Sequence, residues 1–248
     1  MAFGLIIIGD EILSGRRQDR QLPILIKLLS ERGLQLGWVQ ILPDEMDVLV
    51  ATFRRTLAQG DTVFCTGGLG STPDDLTRDA FAQALGVTTE IHPEGRKLLE
   101  DFSSTHQIEL AEEHWQLITF PKGAELIVDP IHKVPGFGIA NHYFMPGFPE
   151  MAEPMMAWVL DNHYGGLVNP DYQEDSILVL EVFESHITDL MEAMLAQFPQ
   201  TKLFSLPMMV EGQRQVEVGF KGHKAEVEQA LTRFKAELDA RQIEWRAL

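Results

Sequence analysis

Residues 2–8 read AFGLIII, an almost unbroken apolar run. A short run with no polar alternation is a strand buried on both faces, and such strands belong to parallel sheets covered by helices on both sides. The chain that follows supplies the crossovers a parallel sheet needs. Leu22, Ile24, Leu25, Leu28 and Leu29 recur at helical spacing and stop before Gly33. Leu34–Leu42 reads as a second strand. Pro43-Asp44-Glu45-Met46-Asp47 then opens a helix with an apolar face of Val48, Leu49, Phe53 and Leu57, closed by Gly60. By default Asp44 or Asp47 is its N-cap. Val63–Thr66 is a third strand, and a helix from Leu76 to Leu85 stops at Gly86. Strand and helix alternating at this spacing means α/β, built from βαβ units with right-handed crossovers.

The loops that leave these strands carry the chemistry. Val63–Thr77 reads VFCTGGLGSTPDDLT, with Gly67, Gly68 and Gly70, the hydroxyls Ser71 and Thr72, and the carboxylates Asp74 and Asp75. Glycines at a strand exit allow close backbone approach, and amides ahead of a helix form an anion site. Two carboxylates beside bound phosphate make sense when a hard cation sits between them. The same residues would equally serve as a turn and helix start, capped by Thr72 or Asp74. The pattern is neither GxxxxGK[ST] nor GxGxxG. A second exit loop, Gly9-Asp10-Glu11-Ile12-Leu13-Ser14-Gly15, precedes Arg16 and Arg17, which read as a solvated charged turn. A third, Pro146-Gly147-Phe148-Pro149, ends a strand expected over Ile139–Met145. Ligands of open α/β sheets sit outside the carboxyl ends of strands, so these loops can converge.

The 248 residues carry a net charge of −17. That field opposes nucleic acid and anionic membranes, so a phosphate ligand needs local amides, arginines or a cation. Cys65 is the single cysteine, which excludes an internal disulfide, fits a cytoplasmic setting and reads as a buried structural thiol. No signal peptide or spanning helix is expected. Residues 93–117 look helical and polar. Their histidines (His92, His106, His114) lack metal-binding spacing, so a solvated face is expected. Glu125–Val128 reads as a strand, Pro135-Gly136-Phe137-Gly138 as a turn, and Met151, Met155 and Met156 as core filler. Tyr164–Asp175 reads as a linker. Beyond it a β-α-β-β-α pattern (strand 177–183, helix 185–197, strands 202–210 and 215–219, helix 224–238) marks a small α+β module. The domains are thus expected at 1–166 and 171–248. From Asp171 onward 14 Asp and Glu face 8 Lys and Arg. In so acidic a module the GxxG at Gly219–Gly222 reads as a turn, not an RNA clamp.

Three of these motifs, GDEILSG (Gly9–Gly15), TGGLGSTPDDLTRD (Thr66–Asp79) and MPGFP (Met145–Pro149), together resemble the molybdopterin-binding-like domain. More narrowly they resemble the N-terminal part of the competence/damage-inducible protein A (CinA) family, from the start to about His163. The resemblance implies a three-layer α/β/α domain, dimeric or trimeric, that binds a pterin or a nucleotide phosphate. In molybdenum-cofactor relatives an aspartate ending the glycine loop and one opening the helix after strand two support magnesium-dependent adenylyl chemistry. By position these are Asp75 and Asp44. In CinA-type relatives the domain is associated with metal-dependent hydrolysis of ADP-ribose. The tail resembles that family's small middle module. Family proteins typically read PGxPxEM, whereas Pro149 is followed directly by Glu150-Met151, so Glu150 is not expected to inherit that motif's glutamate role. An Asn pair common after the first motif is replaced by Arg17-Gln18-Asp19-Arg20. Longer members end in a pyridine-nucleotide amidase domain. This chain stops before it, so deamidation is not expected.

The expected site therefore has Asp75, Asp44 and Asp10 as catalytic carboxylates, with Asp75 and Asp44 holding Mg²⁺, Mn²⁺ or Co²⁺. Gly67, Gly68, Gly70, Ser71, Thr72, Asp74 and Thr77 are expected to bind the ligand, joined by Gly9, Glu11, Ser14, Pro146 and Gly147. The ligand is a nucleotide or pterin phosphate, with molybdopterin a candidate, and the reaction is phosphoanhydride hydrolysis. A non-catalytic binding protein and adenylyl transfer in molybdenum cofactor biosynthesis stay open beside it. A cytoplasmic homo-oligomer with no nucleic acid or membrane partner completes the expectation.

Overall fold

In the computed structural model, which describes residues 2–248, the strand β1 (Phe3–Ile8) is buried along its whole length. It is followed by α1 (Asp10–Leu13), α2 (Gln21–Ser30), β2 (Leu36–Leu42), α3 (Met46–Gln59), β3 (Thr62–Thr66) and α4 (Thr77–Leu85). Next come β4 (Thr89–Ile91), α5 (Pro93–His106), α6 (Glu112–Gln116), β5 (Thr119–Pro121), β6 (Glu125–Val128), β7 (Pro135–Ile139), β8 (His142–Met145) and α7 (Pro149–His163). The main sheet has the order β2-β1-β3-β8-β7-β6. β2, β1, β3 and β8 run parallel, and β7 is antiparallel to both β8 and β6.

Alternate residues of the central strands feed two cores, which is why these strands read as continuous apolar runs. On one face Leu5, Ile7, Phe64 and Met145 pack with Leu25 and Leu29 of α2 and with Met155, Met156 and Val159 of α7. On the other, Ile6, Ile8, Cys65 and Phe144 pack with Leu49 and Phe53 of α3 and Ala80 and Phe81 of α4. This is the expected α/β/α layering; Met155 and Met156 fill core as expected, whereas Met151 is half-buried and belongs to a cleft lining instead.

One expected strand is a hairpin instead. Residues 139–145 turn at Ala140 and Asn141, both left-handed (φ 51° and 60°), with Ile139 paired to His142. Two positive φ values in a two-residue loop match the twist of the flanking strands. Pro135–Gly138 is therefore part of β7, not a turn. Its glycine at 136 serves close packing, because a Cβ there would meet the Phe144 carbonyl oxygen and the tip of Met155. Residues 93–117 also differ from one long helix. α5 ends at Gln107, in the left-handed region, and the short pair β4–β5 brackets α5 and α6.

The chain divides into two compact units, the first up to Leu167 and the second Val168–Leu248. The second contains β9 (Tyr172–Leu180), α8 (Thr188–Gln197), β10 (Lys202–Val210), β11 (Gln213–His223), α9 (Lys224–Ala240) and β12 (Trp245–Ala247). Its antiparallel sheet, β10-β11-β9-β12, packs Val179, Val218 and Phe220 against Leu190, Met194, Val227 and Phe234. The β-α-β-β-α order is as expected, with β12 added at its end. Gly219–Gly222 lies within β11, paired along its length with β9 and β10, and is not a turn. Among the described residues no helix is long and apolar enough to cross a membrane.

Candidate functional site

The carboxyl ends of β1, β3 and β8 lie side by side, so the three exit loops are neighbours although they are far apart in sequence. Hydrogen bonds tie the loop after β3 to the end of β8, and the loop after β1 to the end of β2 and to Asp44 beyond it. Gly67 N–H donates to the Met145 carbonyl (3.2 Å), Gly9 N–H to the Leu42 carbonyl (3.1 Å), and Asp10 N–H to Oδ2 of Asp44 (3.0 Å). Gly67 is left-handed (φ 97°), and a Cβ there would strike the Ile8 carbonyl oxygen. Only glycine lets the loops after β1 and β3 touch in this way. Between the loops opens a cleft of about 700 Å³, a size that suits a small-molecule ligand.

The glycine loop is braced from behind. Asp75 accepts from Gly70 N–H (2.6 Å) and Thr72 N–H (2.9 Å), and from the Thr72 hydroxyl. Thr77, fully buried, donates to the Gly67 carbonyl (3.0 Å). The buried Arg78 guanidinium donates to the Leu69 and Gly70 carbonyls. Burial pushes the Arg78 pKa down, and the neighbouring Asp75 and Asp79 oppose that shift. With Gly67, Gly70 and Thr72 N–H engaged, the N–H groups of Gly68, Leu69 and Ser71 have no partner among the described residues. Unpartnered loop amides beside a cleft are anion-binding groups.

The opposite wall is acidic. Asp44 is half-buried and its pKa is raised, first by desolvation and then by the charges of Asp10, Glu11 and Asp74, against the lowering effect of the Asp10 N–H bond. Asp44 thus sits among carboxylates, and the charge it resists is what a bound cation would favour. Among the described residues no group of three or more His, Cys, Asp or Glu has the geometry to hold a metal ion. Mg²⁺-type sites use one or two carboxylates plus ligand phosphate, and Asp44 fits that smaller requirement.

Of the expected residues, Gly9, Glu11, Asp44, Gly67, Gly68, Gly70, Asp74, Asp75, Pro146 and Gly147 line the cleft together. Asp10, Ser14, Ser71, Thr72 and Thr77 do not line it. Asp10 is exposed, and its contribution to the rim is its N–H bond to Asp44. Asp44 is consequently not a helix cap: α3 is entered through Glu45 with no side-chain cap. Arg17 and Arg20 line the cleft, Arg17 being one of the pair read as a solvated turn. Asp19, also at the cleft, caps α2 by accepting from Gln21 and Leu22 N–H (2.9 and 3.0 Å). Sequence reasoning passed over Gln21, Thr66, Arg78 and Phe148. Gln21 was visible in principle, standing four residues before Leu25 on the buried stripe of α2. Arg78 had no such signal, since its partners are backbone carbonyls.

Comparison with known proteins agrees with this fold. Residues 4–163 match the family described as "Probable molybdopterin binding domain". The chain belongs to the CinA family of molybdopterin-binding-like domains. A CinA-like protein from Citrifermentans bemidjiense is 30% identical over 201 residues, covering 79% of this chain and 49% of that protein. A CinA-like protein from Sulfurihydrogenibium sp. is 32% identical, covering 63% of this chain and 41% of that one. The chain thus matches about half the length of the CinA-like proteins or less. A protein of Archaeoglobus fulgidus is 27% identical over 236 residues, 95% of this chain and 97% of its own. In fold, the CinA protein of Thermoplasma acidophilum superposes with a TM-score of 0.58 at 23% identity, over 65% of this chain and 98% of that one.

Proposed function

We propose that the cleft binds a nucleotide or pterin through its phosphate and cleaves a phosphoanhydride bond with the help of a divalent cation, Mg²⁺, Mn²⁺ or Co²⁺. The observation that carries this is the pair of unpartnered amides at Gly68 and Leu69, residues that line the same cleft as Asp44, which has other carboxylates around it. The amides hold one phosphate by fixed dipoles. Arg17 and Arg20, exposed on the cleft wall, reach a second phosphate and offset the chain's negative field. A cation held by Asp44, with Asp75 or Asp10 at the same rim, would neutralise phosphoryl charge and activate water. Asp75 keeps Gly70 and Thr72 in place, so the amides meet the phosphate without reorganising. Water adds to one phosphorus of the P–O–P bridge, the bridging oxygen leaves on the other, and two phosphomonoesters result. The family's description as molybdopterin-binding and the CinA names of the relatives support a ligand of this class.

The test is ADP-ribose turnover with each metal, in wild type and Asp44→Asn. The asparagine oxygen still accepts from Asp10 N–H, so that tie is kept. Turnover should fall about 10²–10³-fold with the melting temperature retained. Undiminished turnover in Asp44→Asn would remove Asp44 from the reaction. A second reading, binding without turnover, is favoured by one fact: both oxygens of Asp75 are already bonded within the loop. It predicts thermal stabilisation by ligand with no product under any metal. Adenylyl transfer, the third reading, would show as ATP-dependent AMP attachment to a pterin phosphate. The proposal includes a homo-oligomer, dimer or trimer, supported by Val39 and Ile41, which lie exposed on the edge strand β2. Analytical ultracentrifugation tests it.

A further inference from the structure

Two side chains at the cleft are buried and lack hydrogen-bond partners among the described residues. Gln21 is 3% exposed, with neither its carboxamide oxygen nor its nitrogen partnered there; Thr66 is 1% exposed, and its hydroxyl has no partner there either. Both line the cleft. They also share one face of the sheet. Thr66 follows Phe64 by two residues and so points to the α2 and α7 side, and Gln21 precedes Leu25 by one helical repeat on the buried stripe of α2. The backbone around Gln21 is satisfied by Asp19, which leaves the side chain as the anomaly. Buried polar groups normally find partners, and an orphaned carboxamide lowers stability.

We infer that Gln21, assisted by Thr66, reads the edge of a flat heterocycle bound in the cleft, one that presents a hydrogen-bond donor beside an acceptor. A carboxamide offers the matching acceptor and donor, as it does when glutamine pairs bidentately with adenine. Pterin shares this edge chemistry through its ring N–H and neighbouring carbonyl. The surroundings suit a ring: Ile7, Ile12 and Met151 line the same cleft, and Phe148, 49% exposed, offers an aromatic surface at the start of α7. The inference rests on the phosphate-ligand reading above and names the part of the ligand that the amides do not hold.

The test is calorimetric titration of the full chain, in Mg²⁺ buffer, with pyrophosphate, ADP, adenosine and unsubstituted pterin. Gln21→Met keeps side-chain length and removes both polar atoms. It should melt at or above the wild-type temperature, bind pyrophosphate as wild type does, and lose about 5- to 150-fold in affinity for the ring-bearing ligand. Gln21→Asn should recover part of that loss. Whether adenosine or pterin shows the loss identifies the ring. Unchanged affinity for both rings in Gln21→Met overturns the inference. If pyrophosphate binds wild type and no ring adds affinity, the Gln21 assignment falls and the phosphate reading stands. If pyrophosphate fails and a ring's affinity still depends on Gln21, the assignment stands and the phosphate reading falls. If nothing binds, both fall. Should Gln21→Met not fold, Thr66→Val, which deletes the other orphan at constant shape, makes the same comparison.

Discussion

His142 sits where a charge would be costly. It is 1% exposed, within bonding distance of the Thr56 hydroxyl (2.8 Å) and the Ala140 carbonyl (2.9 Å), and packed on Phe81 and Phe144. Burial pushes its pKa below the ordinary histidine value, more than the Ala140 bond and Asp61 push it up. The unfolded chain therefore binds the proton first on acidification. Stability from this group is fully present above the ordinary value of about 6.5 and falls as pH drops below it, until the folded histidine also protonates. The slope approaches ~1.4 kcal/mol per pH unit for one proton. We expect urea midpoints of the wild type to fall between pH 6.5 and 5, and His142→Phe to flatten that dependence. An equal slope in the variant would move its origin elsewhere. The same scale explains what a single sequence conceals. Asp75 and the glycines announce themselves by residue type and spacing, whereas Asp44 reads locally as a helix cap and enters the site only through the family resemblance. Gln21 and Thr66 matter because they have no partners among the described residues, and partners are a property of the folded chain. Arg78 stands in the TRD run that closes the glycine-loop motif, and nothing in residue order says that its guanidinium folds back onto the loop before it.

At the scale of elements, the loop between β3 and α4 is held by hydrogen bonds to Asp75 within it and from Thr77 and Arg78 in the first turn of α4. Its glycines were legible as loop chemistry, but the reason for each is tertiary. Gly68 is left-handed (φ 64°), and a Cβ there would collide with the Thr77 hydroxyl that holds the Gly67 carbonyl. Gly86, which ends α4, is also left-handed (φ 78°), with nothing within 4 Å of the position a Cβ would take. Gly86→Ala should then cost only the left-handed penalty, about 1–2 kcal/mol. Gly68→Ala adds a packing clash of ~1–3 kcal/mol and should also abolish ligand-induced stabilisation, because the neighbouring amides lose their aim. Thermal melts with and without ADP-ribose separate the two effects. Equal costs with ligand response retained would show that the loop yields. The β7–β8 hairpin is the counter-case for legibility. Pro-Gly-x-Gly looks like a turn locally, yet the ladder to β8 and the space beside Phe144 make it strand, while the actual turn residues, Ala140 and Asn141, lack glycine.

At the scale of the molecule, two hydrophobic systems fold within one chain. The cores around β1 and β3 draw every buried member from residues up to Tyr164, and the core around β9 and β11 draws its own from Ile177 to Leu238. The sequence carries a Gly- and Pro-bearing stretch after Tyr164, and β9 begins within it at Tyr172. The sequence did not show β12, three residues that complete the second sheet beside β9, because so short a strand has no periodicity to read. Separate cores imply separate cooperative transitions. Cys65 supplies the probe: it is the chain's single cysteine, 1% exposed in β3, with its thiol pKa pushed up by burial. Native Cys65 should be inert to thiol reagents, so its modification requires the first unit to open. We expect a chain ending at Leu167 to be labelled at a rate within about twofold of the full chain, since a larger difference would mean coupling of more than ~0.4 kcal/mol. A fragment from Val168 should melt cooperatively by itself, followed through Trp245, whose indole donates to Asp239 (2.8 Å). Labelling roughly tenfold faster in the truncated chain would mean that the second unit contributes on the order of 1.4 kcal/mol to the first, and the two cores would then have to be treated as one cooperative system.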